Sequence, residues 1–316
     1  MSKPVTVASI VAAALAALLV YVLNASTPVR CTGVTIEAGE SIQNAIDDHP
    51  ERTTFCLAAG TYEVESDIEP KDGDRLIGTG MSATFLRGAG AEIIIDADGA
   101  ADVVVSHMDI SGSQGTPECK PSCGSGFRGG DDNVVDSVRF RDHPNHGIGG
   151  SDGGLVVRNS ILDHNGSEPF TGCCAGGIKG GTGFTIEDSE VFSNVGVGIW
   201  CDVGCPGGME VYGNHIFDNT RDGIRYEISD GGAIIEGNTV ENNNTANITG
   251  GHGGITAVGS ANATISNNVL RGNGVAGIVV VAGTRGVEVR DVEIFANDLN
   301  GNDLSGCGLS GVSCRD

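Results

Sequence analysis

The sequence predicts an all-β chain wound as a parallel β-helix, and three observations point that way. An aliphatic residue is followed eight positions later by asparagine in Val157/Asn165, Ile186/Asn194, Val211/Asn219, Ile235/Asn243, Ile265/Asn273 and Val289/Asn297, with weaker copies in Val105/Ser113 and Val135/His143. A glycine–isoleucine step follows at Gly177-Ile178, Gly198-Ile199, Gly223-Ile224, Gly254-Ile255 and Gly277-Ile278. The chain holds 51 glycines and only 4% aromatic residues, and no stretch after residue 50 has a helical period. A period of roughly 22–30 residues marks a repeat architecture, and scarce aromatics suit thin coils stacked on one another.

The N-terminal run Val5 to Leu23 is almost wholly apolar and follows Lys3, so residues 1–26 read as a secretory signal or a signal anchor. At Leu23-Asn24-Ala25-Ser26 alanine precedes the cut but no small residue lies two places earlier, which keeps an uncleaved anchor open. Either way the rest of the chain is expected outside the cytoplasm, secreted or anchored to the outer face of the cytoplasmic membrane. Any membrane contact would run through this segment alone.

From residue 61 to 316 each period holds short β-type runs, such as Phe184 to Glu187, Glu190 to Phe192 and Gly198 to Cys201, separated by Gly, Asn and Asp. Each run alternates apolar with polar, the period of a half-buried strand. Three short strands per turn, each pairing with its equivalent one coil away, build the solenoid. Asparagine at a fixed phase can occupy a tight bend and bond to the asparagine of the next coil. A leucine-rich repeat would need Leu at several fixed positions per period, and this chain lacks them.

The opening of the repeat adds a resemblance. Ser41-Ile42-Gln43-Asn44-Ala45-Ile46, then Phe55 to Tyr62, then Asp74-Arg75-Leu76-Ile77-Gly78 resemble the start of right-handed parallel β-helix proteins of the pectin-lyase-like superfamily. The resemblance runs from about residue 31 to the end. It implies a right-handed solenoid with a short N-terminal capping helix, within a cap at residues 31–60. That superfamily holds lyases, glycoside hydrolases, epimerases, esterases and non-catalytic adhesins, so the fold leaves the reaction open.

Ten cysteines agree with an oxidising compartment. Cys119 and Cys123, Cys201 and Cys205, and Cys307 and Cys314 are close pairs; Cys31 and Cys56 flank the cap, and Cys173-Cys174 are adjacent. Cys-x-x-x-Cys without His or further Cys in register does not make a zinc site, so disulfides stapling loops are expected. A formal net charge of -23 excludes nucleic acid as a partner, which needs basic surface. A monomer is expected.

The glycine–isoleucine step sets a strand register. With Ile inward, alternation turns the next residue and the one two further on outward. The first outward column reads Arg128, Gly149, Lys179, Trp200, Arg225, Thr256, Val279, and the second reads Gly130, Ser151, Gly181, Asp202, Glu227, Val258, Val281. Charge gathers on three successive coils, where Asp202 and Glu227 should lie within about 5 Å at strand spacing. Two long loops, Gly166 to Gly176 with Glu168 and Asn244 to Gly253 with His252, would flank a trench about 14 Å wide. Lys179, Asp202, Arg225 and Glu227 are the candidate catalytic residues. Trp200, exposed for sugar stacking, with Tyr226, His252 and Glu168, are the candidate substrate contacts.

Three functions compete for such a trench, all with a polysaccharide or oligosaccharide partner. A lyase acting by β-elimination on a uronate would use Lys179 or Arg225 as base, as the resemblance implies, with Asp202 and Glu227 as oxygen ligands for Ca²⁺. A retaining glycoside hydrolase would use Asp202 and Glu227 as its carboxylate pair. A surface β-helix could bind glycan without chemistry. The lyase ranks first because Lys179 and Arg225 flank the carboxylates. Gly251-His252-Gly253 resembles a polygalacturonase signature, but the partner motifs Asn-Thr-Asp and Arg-Ile-Lys are absent.

Overall fold

The computed structural model describes residues 29–115, 123–150, 153–167, 175–285 and 287–315. The N-terminal apolar run, Cys119 of the expected Cys119/Cys123 pair, Glu168 and the Cys173-Cys174 pair lie outside them. Among the described residues no helix is long and apolar enough to cross a membrane.

The chain is an all-β parallel solenoid of about 10 turns. One face is a nine-stranded parallel sheet built from Ile93–Asp96, Ser125–Arg128, His146–Gly149, Gly176–Gly180, Val197–Gly204, Ile224–Ser229, Ile255–Val258, Ile278–Val281 and Leu304–Ser305. It is called the site face below. The remaining strands pair, also in parallel, into the rest of the coil wall. The capping helix Ile42–Asp47 starts at Ser41, whose hydroxyl accepts from the Asn44 N–H, and it buries Ile42 and Ile46 against the first coil.

The isoleucine of each glycine step points into the solenoid, as alternation requires. Ile95, Phe127, Ile148, Ile178, Ile199, Ile224, Ile255 and Ile278 stand in one register column, each at most 1% exposed. On the far wall Leu76, Val105, Val135, Val157, Ile186, Val211, Ile235, Ile265 and Ile294 form a second buried column. The hydrophobic core is thus a continuous rod of stacked aliphatic side chains.

Two polar ladders turn the corners. The expected one runs Ser113, His143, Asn165, Asn194, Asn219, Asn243, Asn273 and then Asn302. Burial pushes the His143 imidazole down to about 3, so it serves the ladder as a neutral ring. Asn297 belongs to a second ladder, Asn214, Asn238, Asn268, Asn297, which corrects the register expected for the last coil. There Ile294, not Val289, takes the aliphatic column, and Asn302 follows it by the same eight positions.

Asn219 shows why asparagine holds the phase. Its Oδ1 accepts from the Asn194 N–H at 3.1 Å and from Asn194 Nδ2 at 2.9 Å; its Nδ2 donates to Val191 O at 3.0 Å and to Asn243 Oδ1 at 2.8 Å. Asn219→Ala strands several buried partners, each costing about 1–3 kcal/mol. Its denaturation midpoint should therefore fall well below that of the exposed-surface variant Asn262→Ala.

Three of the expected disulfides are formed: Cys31–Cys56, Cys201–Cys205 and Cys307–Cys314. Such bridges persist in oxidising compartments.

Candidate functional site

The site face brings the charged candidates into adjacent columns. Lys179 is the register partner of Trp200, Trp200 of Arg225, and Asp202 of Glu227. The Lys179 ammonium lies 3.1 Å from Asp202 Oδ2, a diagonal pair between neighbouring coils. Asp202 lies near the end of its strand, between the two cysteines of the Cys201–Cys205 bridge. The next residue, Val203, is 59% exposed with φ 57°, a strained backbone for a β-branched side chain.

An open cleft of about 380 Å³ lies over this pair. Arg128, His146, Gly149, Lys179, Gly181, Asp202 and Val203 are among its lining, and the glycines leave bare backbone as its floor. Arg128 is held from the opposite end by Asp96, with its Nε at 2.8 Å, and by Asp98 at 3.2 Å. The cleft therefore runs along the solenoid axis from Arg128 to Asp202. It lies one to two coils nearer the N terminus than the trench expected over Trp200 and Arg225.

Arg225 and Glu227 form a separate, closed cluster. Arg225 binds Glu227 through two bonds of 2.9 Å, and its Nη1 reaches Asp222 Oδ2 at 3.1 Å. Asp222 is fully buried and also takes His252 Nδ1 at 2.7 Å, the Thr256 hydroxyl at 2.6 Å and the Gly253 N–H at 2.8 Å. Burial alone would raise the Asp222 carboxyl; the His252 hydrogen bond and the Arg225 charge outweigh it and hold it below the ordinary carboxylate value. Glu227 is likewise opposed by burial and lowered by Arg225. Burial works against the Arg225 guanidinium, but Glu227 and Asp222 raise it further. A guanidinium tied to two carboxylates is poorly placed to act as a base.

Two expected substrate contacts are corrected. Trp200 is only 7% exposed, with Lys179 Nζ 3.9 Å from its ring centroid, so its face is covered by a cation–π contact. Tyr226 alternates inward, fully buried, with its hydroxyl donating to Ala261 O at 3.2 Å and accepting from the Gly232 N–H at 2.9 Å. His252 flanks the closed cluster, where it fastens the long 244–253 loop to Asp222. Glu168 lies outside the described residues.

Sequence reasoning missed Asp222, His146 and the role of Arg128. Arg128 already stood in the outward column of Lys179. His146 and Asp222 both precede a glycine–isoleucine step, where the other coils carry Gly176, Val197, Gly253 and Ala276. A polar residue at that otherwise small or apolar phase is the signal that could have found them.

Among solved structures, the A-module of mannuronan C-5 epimerase AlgE4 from Azotobacter vinelandii superposes with a TM-score of 0.56 at 14% identity, covering 89% of this chain and 98% of that one. PfbA, a surface adhesin of Streptococcus pneumoniae, gives 0.61 at 14% identity over 84% and 78%. Polygalacturonase from Erwinia carotovora gives 0.58 at 12% identity over 93% and 100%. At such identities the likeness is one of fold. No curated sequence matches the chain at a significant level. The family model of the right-handed β-helix region matches residues 71–206 and 206–294. With its parallel coils, buried aliphatic columns and asparagine ladders, the chain belongs to the right-handed β-helix family.

Proposed function

We propose that the protein is an extracytoplasmic lyase that cleaves a uronate-containing polysaccharide by β-elimination in the Arg128–Lys179–Asp202 cleft. The observation that carries this is Lys179, set by Asp202 and the Trp200 ring at the floor of an open, glycine-lined cleft with Arg128 at its other end. The fold is shared with glycan-directed enzymes and with an adhesin, so the chemistry rests on the cleft.

Elimination at a uronate needs the carboxylate neutralised, so that the proton alpha to it becomes acidic, and a base beside that proton. Arg128 stands two coils from Lys179, so it anchors the chain through a carboxylate further along it, not the one beside the reacting proton. Lys179 Nζ takes the proton; the C–O bond at the β-carbon breaks as the double bond forms, the leaving oxygen takes a proton from water, and the hydroxide so formed takes the proton back from Nζ. Asp202 fixes the lysine in place and draws the product ammonium back to its starting position.

A retaining hydrolase fits less well, because Glu227 is tied to Arg225 and held ionised. Calcium also fits poorly between Asp202 and Glu227. Each carboxylate already faces a cation, whereas calcium takes six to eight oxygens.

The test is incubation with a panel of uronate and neutral glycans, with and without EDTA. The expected product is unsaturated, absorbs in the near ultraviolet, and forms equally well with EDTA. New reducing ends without unsaturation would point to hydrolysis, and tight binding with neither would point to an adhesin.

A further inference from the structure

We infer that Val203, with Ile228 beside it, forms an apolar ledge that takes the C–H face of a pyranose ring at the Asp202 end of the cleft; this deepens the reading above and rests on it. Val203 lines that cleft and is 59% exposed, the highest value among the large aliphatic side chains of the described residues. Asp202 pairs with Glu227 and Gly204 with Ser229, so Val203 stands opposite Ile228 on the next coil. The two backbones are one strand spacing apart, about 4.8 Å.

The backbone at this phase is set by the fold. Val203 has φ 57° and Ile228 φ 50°, and Gly259, one residue past the register partner of Glu227, has φ 50° as well. Three successive strands thus leave the sheet through the left-handed region, where glycine is at ease and β-branched residues are outliers. Gly259 is the residue that suits this turn. The two coils bearing Asp202 and Glu227 hold a β-branched side chain there instead, and Val203 presents its own to solvent. Strain of this kind clusters at ligand contacts, where the side chain is needed despite the backbone. Val275 is the other exposed valine at positive φ, 67°, and it lines no part of this cleft.

The chemistry at this end of the cleft suits carbon better than charge. Val203 follows Asp202 and Ile228 follows Glu227, and those carboxylates are engaged by Lys179 and Arg225. A uronate carboxylate over the ledge would meet no cation without displacing one of these acids. A ring C–H face needs no partner there and removes the valine methyls from water. The approach is open at Gly181, where a Cβ would meet only Asp202 O at 3.8 Å. The ledge lies on the side of Lys179 away from Arg128, so a ring resting on it fixes how the glycan sits over the amine.

The experiment uses the full chain with oligosaccharides of galacturonate, mannuronate, hyaluronan and unsulfated chondroitin, and follows each one that wild type converts to unsaturated product. Val203→Gly should raise KM about five- to tenfold, the scale of one aliphatic side chain lost from a half-open contact, with kcat within about twofold. Its thermal midpoint should hold or rise, because glycine relaxes the left-handed turn. Val203→Thr keeps the shape and the strain but adds a hydroxyl, and should raise KM in the same direction; Val203→Ile should keep the wild-type value. Val275→Gly relaxes the same conformation away from the cleft and should leave KM unchanged. The Val203→Gly effect should be equal at low and high salt, since an apolar contact is not screened as a charge pair is.

An unchanged KM in Val203→Gly, or a rise matched by Val275→Gly, would overturn the ledge and leave the lyase reading standing. Unsaturated product from none of the four would overturn both. Should Val203→Gly fold poorly, Val203→Thr against Val203→Ile decides.

Discussion

Lys179→Ala should lower kcat/KM for unsaturated product by about 10²–10⁴, the range for removal of a positioned general base. Lys179 is part of no ladder and no aliphatic column, so the folded state should survive. Its removal takes away the partner of Asp202 and the cation over Trp200, both largely buried, so the thermal midpoint should fall as well. The loss of rate should far exceed what that fall in stability explains at a temperature where the variant is folded. Near-ultraviolet absorbance and a melting curve on the same preparation separate the two effects. A variant that keeps its rate would remove Lys179 from the chemistry.

Asp222→Asn should have a large effect on stability. The carboxylate is fully buried and accepts from four groups, among them Arg225 and His252. Removing one partner of a buried ion pair leaves the other charge uncompensated, at a cost of about 3–5 kcal/mol. The 244–253 loop should loosen with it, since His252, Gly253 and Thr256 all fasten to this residue.

The sign of the pH dependence follows from the lowered carboxyl. Its stabilisation is complete above the ordinary Asp value of about 3.9 and is lost as pH falls through the lower folded value. Falling pH also relieves the repulsion of a chain of net charge -23, which acts with the opposite sign. Urea midpoints of wild type and Asp222→Asn between neutral and strongly acid pH isolate the Asp222 share. The gap between the two should be widest near neutrality and close in acid. A gap constant with pH would place the stabilisation elsewhere.

Most of the fold was legible because the solenoid repeats its physics in one dimension. Ile178, Ile199 and Ile224 each follow a glycine and each point inward, so one alternation rule orients a whole column. The asparagine phase was equally readable until the last coil, where Val289 and Asn297 mimic the spacing that Ile294 and Asn302 keep. Only pairing between strands, which spacing alone does not encode, distinguishes the two ladders.

The site was legible in its columns and illegible in its partners. Alternation put Lys179, Asp202, Arg225 and Glu227 on one face, but not how the charges divide. Arg225 turns to Glu227 on its own strand and to buried Asp222, closing that cluster, while Lys179 reaches diagonally to Asp202 beside an open floor. Trp200 faces outward as alternation demands and is nevertheless covered. Side-chain reach across a strand surface, not sequence spacing, decides these outcomes.

Crystals of Asp202→Asn soaked with a uronate tetrasaccharide would show where the glycan lies. Sugar density should run along the axis over Arg128, Gly149 and Lys179, with a carboxylate at the Arg128 guanidinium. Density centred on Trp200 and Arg225, or on another wall of the solenoid, would contradict the assignment of the cleft.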